Sequence, residues 1–381
     1  MDLMSIRARE HNGVIGWEFV DADMRGIITI NQPLTTKITE GDIWKAELVD
    51  SKIKARQRTM AVRLVARVRQ MQPWEKISEL PGHWMPFLQL KTILCWLNNN
   101  VDVILIGPKG TGKTTIGYRI AEALGWQHPL KVDVSTVKRT TDYFGTDAAA
   151  DGSTLFIRSA LFDYIERACI ALQSALDTQF LVIMDEINRV HSKVNEALHG
   201  LFDDDRQITI ITAEGSKTIK LPRNLHVIGT MNIGAEYLGI HGLDEALKDR
   251  FGASKVQPMP QDYEVRKLVD ETGIIESQAL TIVEVAGLLR EANTAGTISF
   301  GPSYRQCRNT AKLVVGLLGT KGIDFRSVVI EGMLGWYPGT LDLDSQGIPK
   351  NPTDEVAKAY SALRMRGVDK VFDKTIAEVV V

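Results

Sequence analysis

The sequence lacks most of the features that mark extracellular, membrane or metal-built proteins. Its three cysteines, Cys95, Cys169 and Cys307, stand far apart in 381 residues and follow no paired spacing. That gives neither a disulfide framework nor a zinc site, and it fits a reducing, cytoplasmic setting. The seven histidines are scattered, with no H-E-x-x-H or comparable grouping. No apolar run approaches the roughly 18 residues a membrane span needs, and the N-terminus carries no long apolar stretch of the signal-peptide kind, so no membrane association is expected. Charge of one sign is missing too: 45 Lys and Arg face 47 Asp and Glu, a formal net charge of -2. Affinity for a polyanion would have to be local.

What is present centres on residues 101–115, VDVILIGPKGTGKTT. Val101 to Ile106 is a short apolar run rich in β-branched residues, the pattern of a buried strand. It breaks into Gly107-Pro108-Lys109-Gly110-Thr111-Gly112-Lys113-Thr114, and a helical pattern follows from Thr115. Glycines let backbone N–H groups turn inward around phosphate oxygens, and the helix N-terminus adds partial positive charge. At this spacing Lys113 can reach the β- and γ-phosphates and the Thr114 hydroxyl can hold Mg²⁺. A G-x-x-x-x-G-K-T match between a strand and a helix predicts a nucleoside triphosphate site.

Phe180 to Met184 is a second all-apolar run and ends in Asp185-Glu186. Carboxylates at the tip of a buried strand stand where open α/β sheets bind ligands. Asp185 would help hold Mg²⁺ and Glu186 would polarise the attacking water. A third run, Leu225 to Ile228, leads to Gly229-Thr230-Met231-Asn232. Asn232 either bonds the γ-phosphate or the attacking water, or is a turn residue. Leu243 to Phe251 reads as a helix with Arg250 at its end. That arginine either complements the helix dipole or projects toward the γ-phosphate of a neighbouring subunit.

GPKGTGKT, FLVIMDEINR, VIGTMN and LDEALKDRF together resemble the AAA+ ATPases, specifically the MoxR-like, dynein-related branch, over roughly residues 85–315. The resemblance implies an α/β P-loop core with a parallel sheet in the order 5-1-4-3-2, a helical lid, and ATP at the subunit interfaces of a ring, usually hexameric. It also implies that DYFGTDAAADGSTLFIRSALFDYI and QITIITAEGSKTIKLP contain two inserted hairpins, which contact a substrate or order the subunit interface. In Gly301-Pro302-Ser303-Tyr304-Arg305 it marks Arg305 as the γ-phosphate contact of the lid, with Arg308 the alternate. Arg189 and Arg206 follow the family's local pattern without a role that spacing assigns.

The flanks are less specific. GVIGWEFV, RGIITI, DIWKAELV and MAVRLVARV are four candidate strands within residues 1–72, which suggests a small barrel of oligonucleotide-binding (OB) or similar type. Residues 52–69 hold seven basic and no acidic residues: Lys52, Lys54, Arg56, Arg58, Arg63, Arg67 and Arg69. Such a face could track DNA or RNA, dock a partner protein, or be a solvated sheet face. Proline and glycine make 73–86 a candidate linker, followed by a core over 87–258. Residues 259–381 would form the lid and an extension, with helices over Tyr263–Glu271, Ser277–Ala292, Tyr304–Leu318 and about Asp354–Arg366, the last capped by Thr353. The expected function is a ring-forming ATPase that remodels a partner protein; the alternative is a McrB-like motor that grips nucleic acid through its basic N-terminal module.

Overall fold

The computed structural model describes residues 4–11, 14–19, 27–30, 43–54, 57–69, 73–150, 153–174, 176, 178–189, 194, 198–203, 205–212, 215–232 and 245–379. The chain falls into two units, Met1–Ile77 and Ser78–Val381.

In the first unit five strands, β1 (Met4–His11), β2 (Val14–Phe19), β3 (Ile27–Ile30), β4 (Ile43–Lys54) and β5 (Gln57–Arg69), form one sheet in the order β2-β1-β4-β5-β3. Neighbours are antiparallel except β3 and β5, which run parallel. Ile6 and Ala8 alternate into the core with Trp44 and Ala46, as a half-buried strand dictates. The described pairings establish a five-stranded sheet; they do not include the β2–β3 pair that would close it into a barrel. β4 and β5 carry Lys52, Lys54, Arg58, Arg63, Arg67 and Arg69 of the basic stretch. Arg56 lies outside the described residues.

In the second unit α1 (Phe87–Asn98) leads into β6 (Val103–Gly107) and α2 (Lys113–Leu124). Then come β7 (Leu130–Asp133), α3 (Thr141–Phe144), the strands β8 (Gly145–Ala150) and β9 (Ser153–Arg158), α4 (Ala160–Gln173), β10 (Phe180–Asp185) and α5 (His199–Phe202). β11 (Gln207–Thr212), β12 (Gly215–Lys220), β13 (Leu225–Asn232), α6 (Glu245–Lys248) and β14 (Gly252–Lys255) complete the core. Five of these strands make a parallel sheet in the order β14-β6-β13-β10-β7. Numbered along the chain that is 5-1-4-3-2, the order of the AAA+ P-loop fold. Because helices cover it, its central strands are mostly apolar: in FLVIMD of β10 only Asp185 escapes burial. β8–β9 and β11–β12 are separate antiparallel hairpins at the two expected insertions. The turn residues Asp151, Gly152 and Glu214 lie outside the described residues.

The lid packs α7 (Gln261–Thr272), α8 (Glu276–Thr294), α9 (Tyr304–Leu317), α10 (Phe325–Leu334), α11 (Glu355–Met365) and α12 (Val368–Val379) around an apolar core of its own, with Leu268, Ile282, Leu289, Val314, Leu363 and Phe372 at its centre. Two details depart from the sequence reading. The N-cap of α11 is Asp354, without a side-chain cap, in place of Thr353. The glycine at 367, with φ +79, turns the chain into a further helix, α12.

Candidate active site

The phosphate loop runs from the C-terminal tip of β6 into α2. Gly110 and Gly112 have φ of +81 and +79, a region only glycine enters without strain. Their bare Cα atoms are also close-packed: a Cβ at Gly110 would stand 2.4 Å from Ser303 Cβ, and one at Gly112 2.4 Å from His83 Cε1. Lys113, 6% exposed, folds back so that Nζ donates to the carbonyls of Gly107 (2.9 Å) and Pro108 (2.7 Å). Burial pulls its pKa down to about 8, with Asp185 and Glu186 opposing. Thr111 Oγ1 donates to Pro108 O at 2.9 Å. Lys109 and Thr115 complete the loop and the first turn of α2.

The strands behind the loop bring their tips to it. Asp185 Oδ1 accepts from the hydroxyls of Thr114 (2.7 Å) and Thr230 (2.6 Å), and Oδ2 lies 2.8 Å from Lys131 Nζ on the neighbouring strand β7. Burial favours the protonated acid, yet these three donors outweigh it and hold the Asp185 carboxyl below the ordinary range. Glu186 follows with φ +58, in the left-handed region that costs a non-glycine residue roughly 1 kcal/mol or more. The structure holds it there from three sides. Its N–H donates to Thr230 Oγ1 (3.0 Å), Asn232 Nδ2 donates to Oε1 (2.8 Å), and Arg189 Nε lies 2.8 Å from Oε2. Asn188 braces the same corner, its Nδ2 donating to Asn232 O at 3.1 Å. Thr114, Asp185, Glu186 and Asn232 are thus brought together beside the phosphate loop.

Two further predicted residues come from outside this corner, Arg250 from the far end of β6 and Arg305 from the lid. Arg250 precedes β14, whose first residue, Gly252, pairs with Val103 at the start of β6; the phosphate loop leaves from the other end of β6. Arg250 Nε donates to Asp203 Oδ1 at 2.5 Å. Arg305, in the first turn of α9, is exposed and has no ion pair among the described residues, whereas Arg308 lies 3.6 Å from Glu271.

Sequence reasoning missed several partners. Lys131 follows no motif, and Thr230 stands in VIGTMN without a role that spacing assigns; the register that sets β7 and β13 on either side of β10 places both at Asp185. Arg206 proves to be structural: it pairs with the buried Asp102 (3.2 Å), which also accepts from Val227 N (2.8 Å), and donates to Leu225 O (2.9 Å). Burial pushes the Asp102 carboxyl up to about 6 despite Arg206. The stretch read as a linker lies partly on the loop: His83 is buried against Gly112, and Lys267 of the lid donates to Gly82 O at 2.6 Å.

Chemically the corner suits a magnesium nucleotide. The backbone leaves a cradle that side chains would fill, a buried ammonium faces it, and the cation position offers a hydroxyl and a carboxylate, the hard oxygen donors that Mg²⁺ prefers.

Residues 102–251 match the model of the AAA domain of the dynein-related subfamily. Among curated proteins, the chain is 27% identical over 242 residues to "Putative chaperone BssE" of Thauera aromatica, covering 60% of this chain and 78% of that one. It is 26% identical over 185 residues to the methyl-directed restriction enzyme subunit EcoKMcrB of Escherichia coli strain K12, covering 46% and 39%. With chaperone MoxR1 of Mycobacterium tuberculosis strain H37Rv it shares 32% over 109 residues, 29% of this chain and 27% of that protein. The match therefore spans less than half of the last two relatives. Sheet order, loop and family match converge on one assignment: residues 102–251 form an AAA+ ATPase domain of the MoxR-like, dynein-related kind.

Proposed function

We propose that this chain works as a ring whose subunits complete one another's active sites and spend ATP on remodelling a partner protein. One observation carries the ring: Arg250 stands at the opposite end of β6 from the chain's own phosphate loop, about four residues or roughly 13 Å of strand away. An arginine so placed serves a γ-phosphate only on an adjacent copy. The chaperone names of two relatives support a protein as the load.

In this reading the backbone of Gly107–Thr114 and the Lys113 ammonium bind the phosphates, and Thr114 and Asp185 would hold Mg²⁺. The bound ion would screen the charge of the β- and γ-phosphates. Lys131 and Thr230 keep the Asp185 carboxylate ionised and aimed. Glu186 takes the proton of the attacking water, which Asn232 orients. Arg250 of a neighbouring copy stabilises the charge that develops at the γ-phosphate, and Arg305 reports its presence to the lid. Loss of that charge from the interface lets subunits rotate against one another.

The test is ATP turnover per subunit across a dilution series, read beside the sedimentation of the ATP-bound chain. Activity that falls as the ring dissociates supports the reading; constant activity in a monomer contradicts it. Adding single-stranded DNA, duplex DNA or RNA over a salt series tests the load. Stimulation that salt abolishes, and that disappears when Lys52, Lys54, Arg56 and Arg58 are neutralised, would move the load from protein to nucleic acid.

A further inference from the structure

Among the described residues of the lid, one ion pair has a buried carboxylate and a half-buried guanidinium, and its geometry points out of the lid and toward the phosphate loop. Arg290 of α8 grips Glu264 of α7 with two hydrogen bonds, Nη1 to Oε2 and Nη2 to Oε1, each 2.8 Å. Glu264 is 2% exposed. Arg290 Nε, on another edge of the guanidinium, donates to the carbonyl of Pro302 at 2.7 Å, and Nη2 lies 3.5 Å from Cys307 Sγ. For stability alone, a buried pair is often no better than apolar residues of the same volume. What the pair adds is direction, because a planar guanidinium fixes its partners at set angles.

The partner fixed here is the residue before Ser303, the N-cap of α9. Ser303 is itself locked by a capping box with Gln306, whose Oε1 accepts from Ser303 N at 2.6 Å. Ser303 Cβ occupies the space that a side chain at Gly110 would need, so the start of α9 rests directly on the phosphate loop. Arg305 comes two residues later. The contacts run without a gap from Glu264 through Arg290, Pro302 and Ser303 to Gly110.

We propose that Arg290, held by Glu264, is a positioning residue for nucleotide sensing: it sets Pro302–Arg305 against the phosphate loop so that Arg305 meets the γ-phosphate end of a bound triphosphate. This rests on the reading of Arg305 given above. Lysine cannot replace it, since an ammonium is a point donor and cannot hold the Glu264 carboxylate and the Pro302 carbonyl in one plane.

The test measures fluorescent ATP and ADP analogue binding to the full chain, with Glu186→Gln present throughout to stop hydrolysis. Arg290→Lys, Glu264→Gln, Arg305→Ala and the double variant Arg290→Lys/Arg305→Ala are compared, and Tm is recorded for each. The expected result is ATP affinity about tenfold weaker in each single variant, the scale of one lost charge-assisted hydrogen bond. ADP affinity stays within about twofold, and the double variant is no weaker than Arg305→Ala. Should Arg290→Lys fail to fold, the near-isosteric Glu264→Gln carries the same comparison. Parallel loss of ATP affinity, ADP affinity and Tm would reduce Arg290 to a structural residue and overturn the proposal. So would full ATP affinity in Arg290→Lys and Glu264→Gln while Arg305→Ala loses it; the reading of Arg305 then stands alone. Unchanged ATP affinity in Arg305→Ala removes that reading and takes the proposal with it.

Discussion

Glu186 is held in a strained backbone by Thr230, which accepts from its N–H, and by Asn232 and Arg189 at its carboxylate, and the substitutions that separate these roles are specific. Glu186→Gln keeps the side chain's size and its hydrogen bond from Asn232 but cannot accept a proton. Nucleotide binding should persist while steady-state hydrolysis falls by roughly 10²-fold or more; hydrolysis near the wild-type rate would assign the base elsewhere. Thr230 bonds both Asp185 and the Glu186 amide through one hydroxyl. Thr230→Val, of nearly the same shape, should lower hydrolysis by about tenfold or more, and Thr230→Ser should restore most of it. Equal rates in the Val and Ser variants would show that the hydroxyl is idle. Arg206→Met leaves the buried Asp102 unpaired and should cost about 3 kcal/mol in urea unfolding at pH 8. The pH sign follows from Asp102, whose folded pKa of about 6 lies above its unfolded 3.8. Its protonation adds stability below pH 3.8 that is lost as pH rises through 6. The Met variant should therefore recover part of its deficit at pH 5, and a deficit equal at both pH values would contradict the assignment. The motif residues were legible in the sequence because phosphate chemistry restricts what stands at each spacing. Lys131, Asp102 and the partners that Thr230 of VIGTMN meets were not, because the fold rather than spacing brings these groups together.

Elements divide the same way. The strands of the core sheet that end in motif residues could be read from apolar runs alone, whereas β7 and β14, with four residues each and a burial pattern that alternates in place of a continuous run, gave no such signal. The N-terminal strand β1 was missed because Met4–His11 carries two arginines, a glutamate and a histidine among its eight residues. Residues 73–86 read as a linker, and the division between the two units falls within them, after Ile77. Prolines and glycine mark an irregular backbone, not a loose one, and here the irregular segment is pinned by His83 on Gly112 and by Lys267 on Gly82. A chain beginning at Ser78 should bind ATP as the full chain does, and one beginning at Phe87 should bind about tenfold less tightly or worse, since it loses one wall of the loop. Equal affinity in both truncations would return the segment to the status of a tether.

At the scale of the molecule, the proposed ring makes the site within one chain half of a site. Thr114, Asp185, Glu186 and Asn232 lie together at the C-terminal tips of β6, β10 and β13, and Arg250 stands at the far end of β6 in an ion pair with Asp203. The sequence showed the arginine but not its distance from the loop; only the register of β14 on β6 supplies that. The most direct measurement mixes two inactive chains, Arg250→Ala and Lys113→Ala, at ring-forming concentration and follows ATP hydrolysis against the ratio of the two. Each variant alone should be inactive. Mixed rings regain hydrolysis at the interfaces where an intact Lys113 loop meets an intact Arg250, with a maximum near equal amounts. Mixtures that stay as inactive as their components, while each variant still binds or assembles normally, would contradict a site shared between copies.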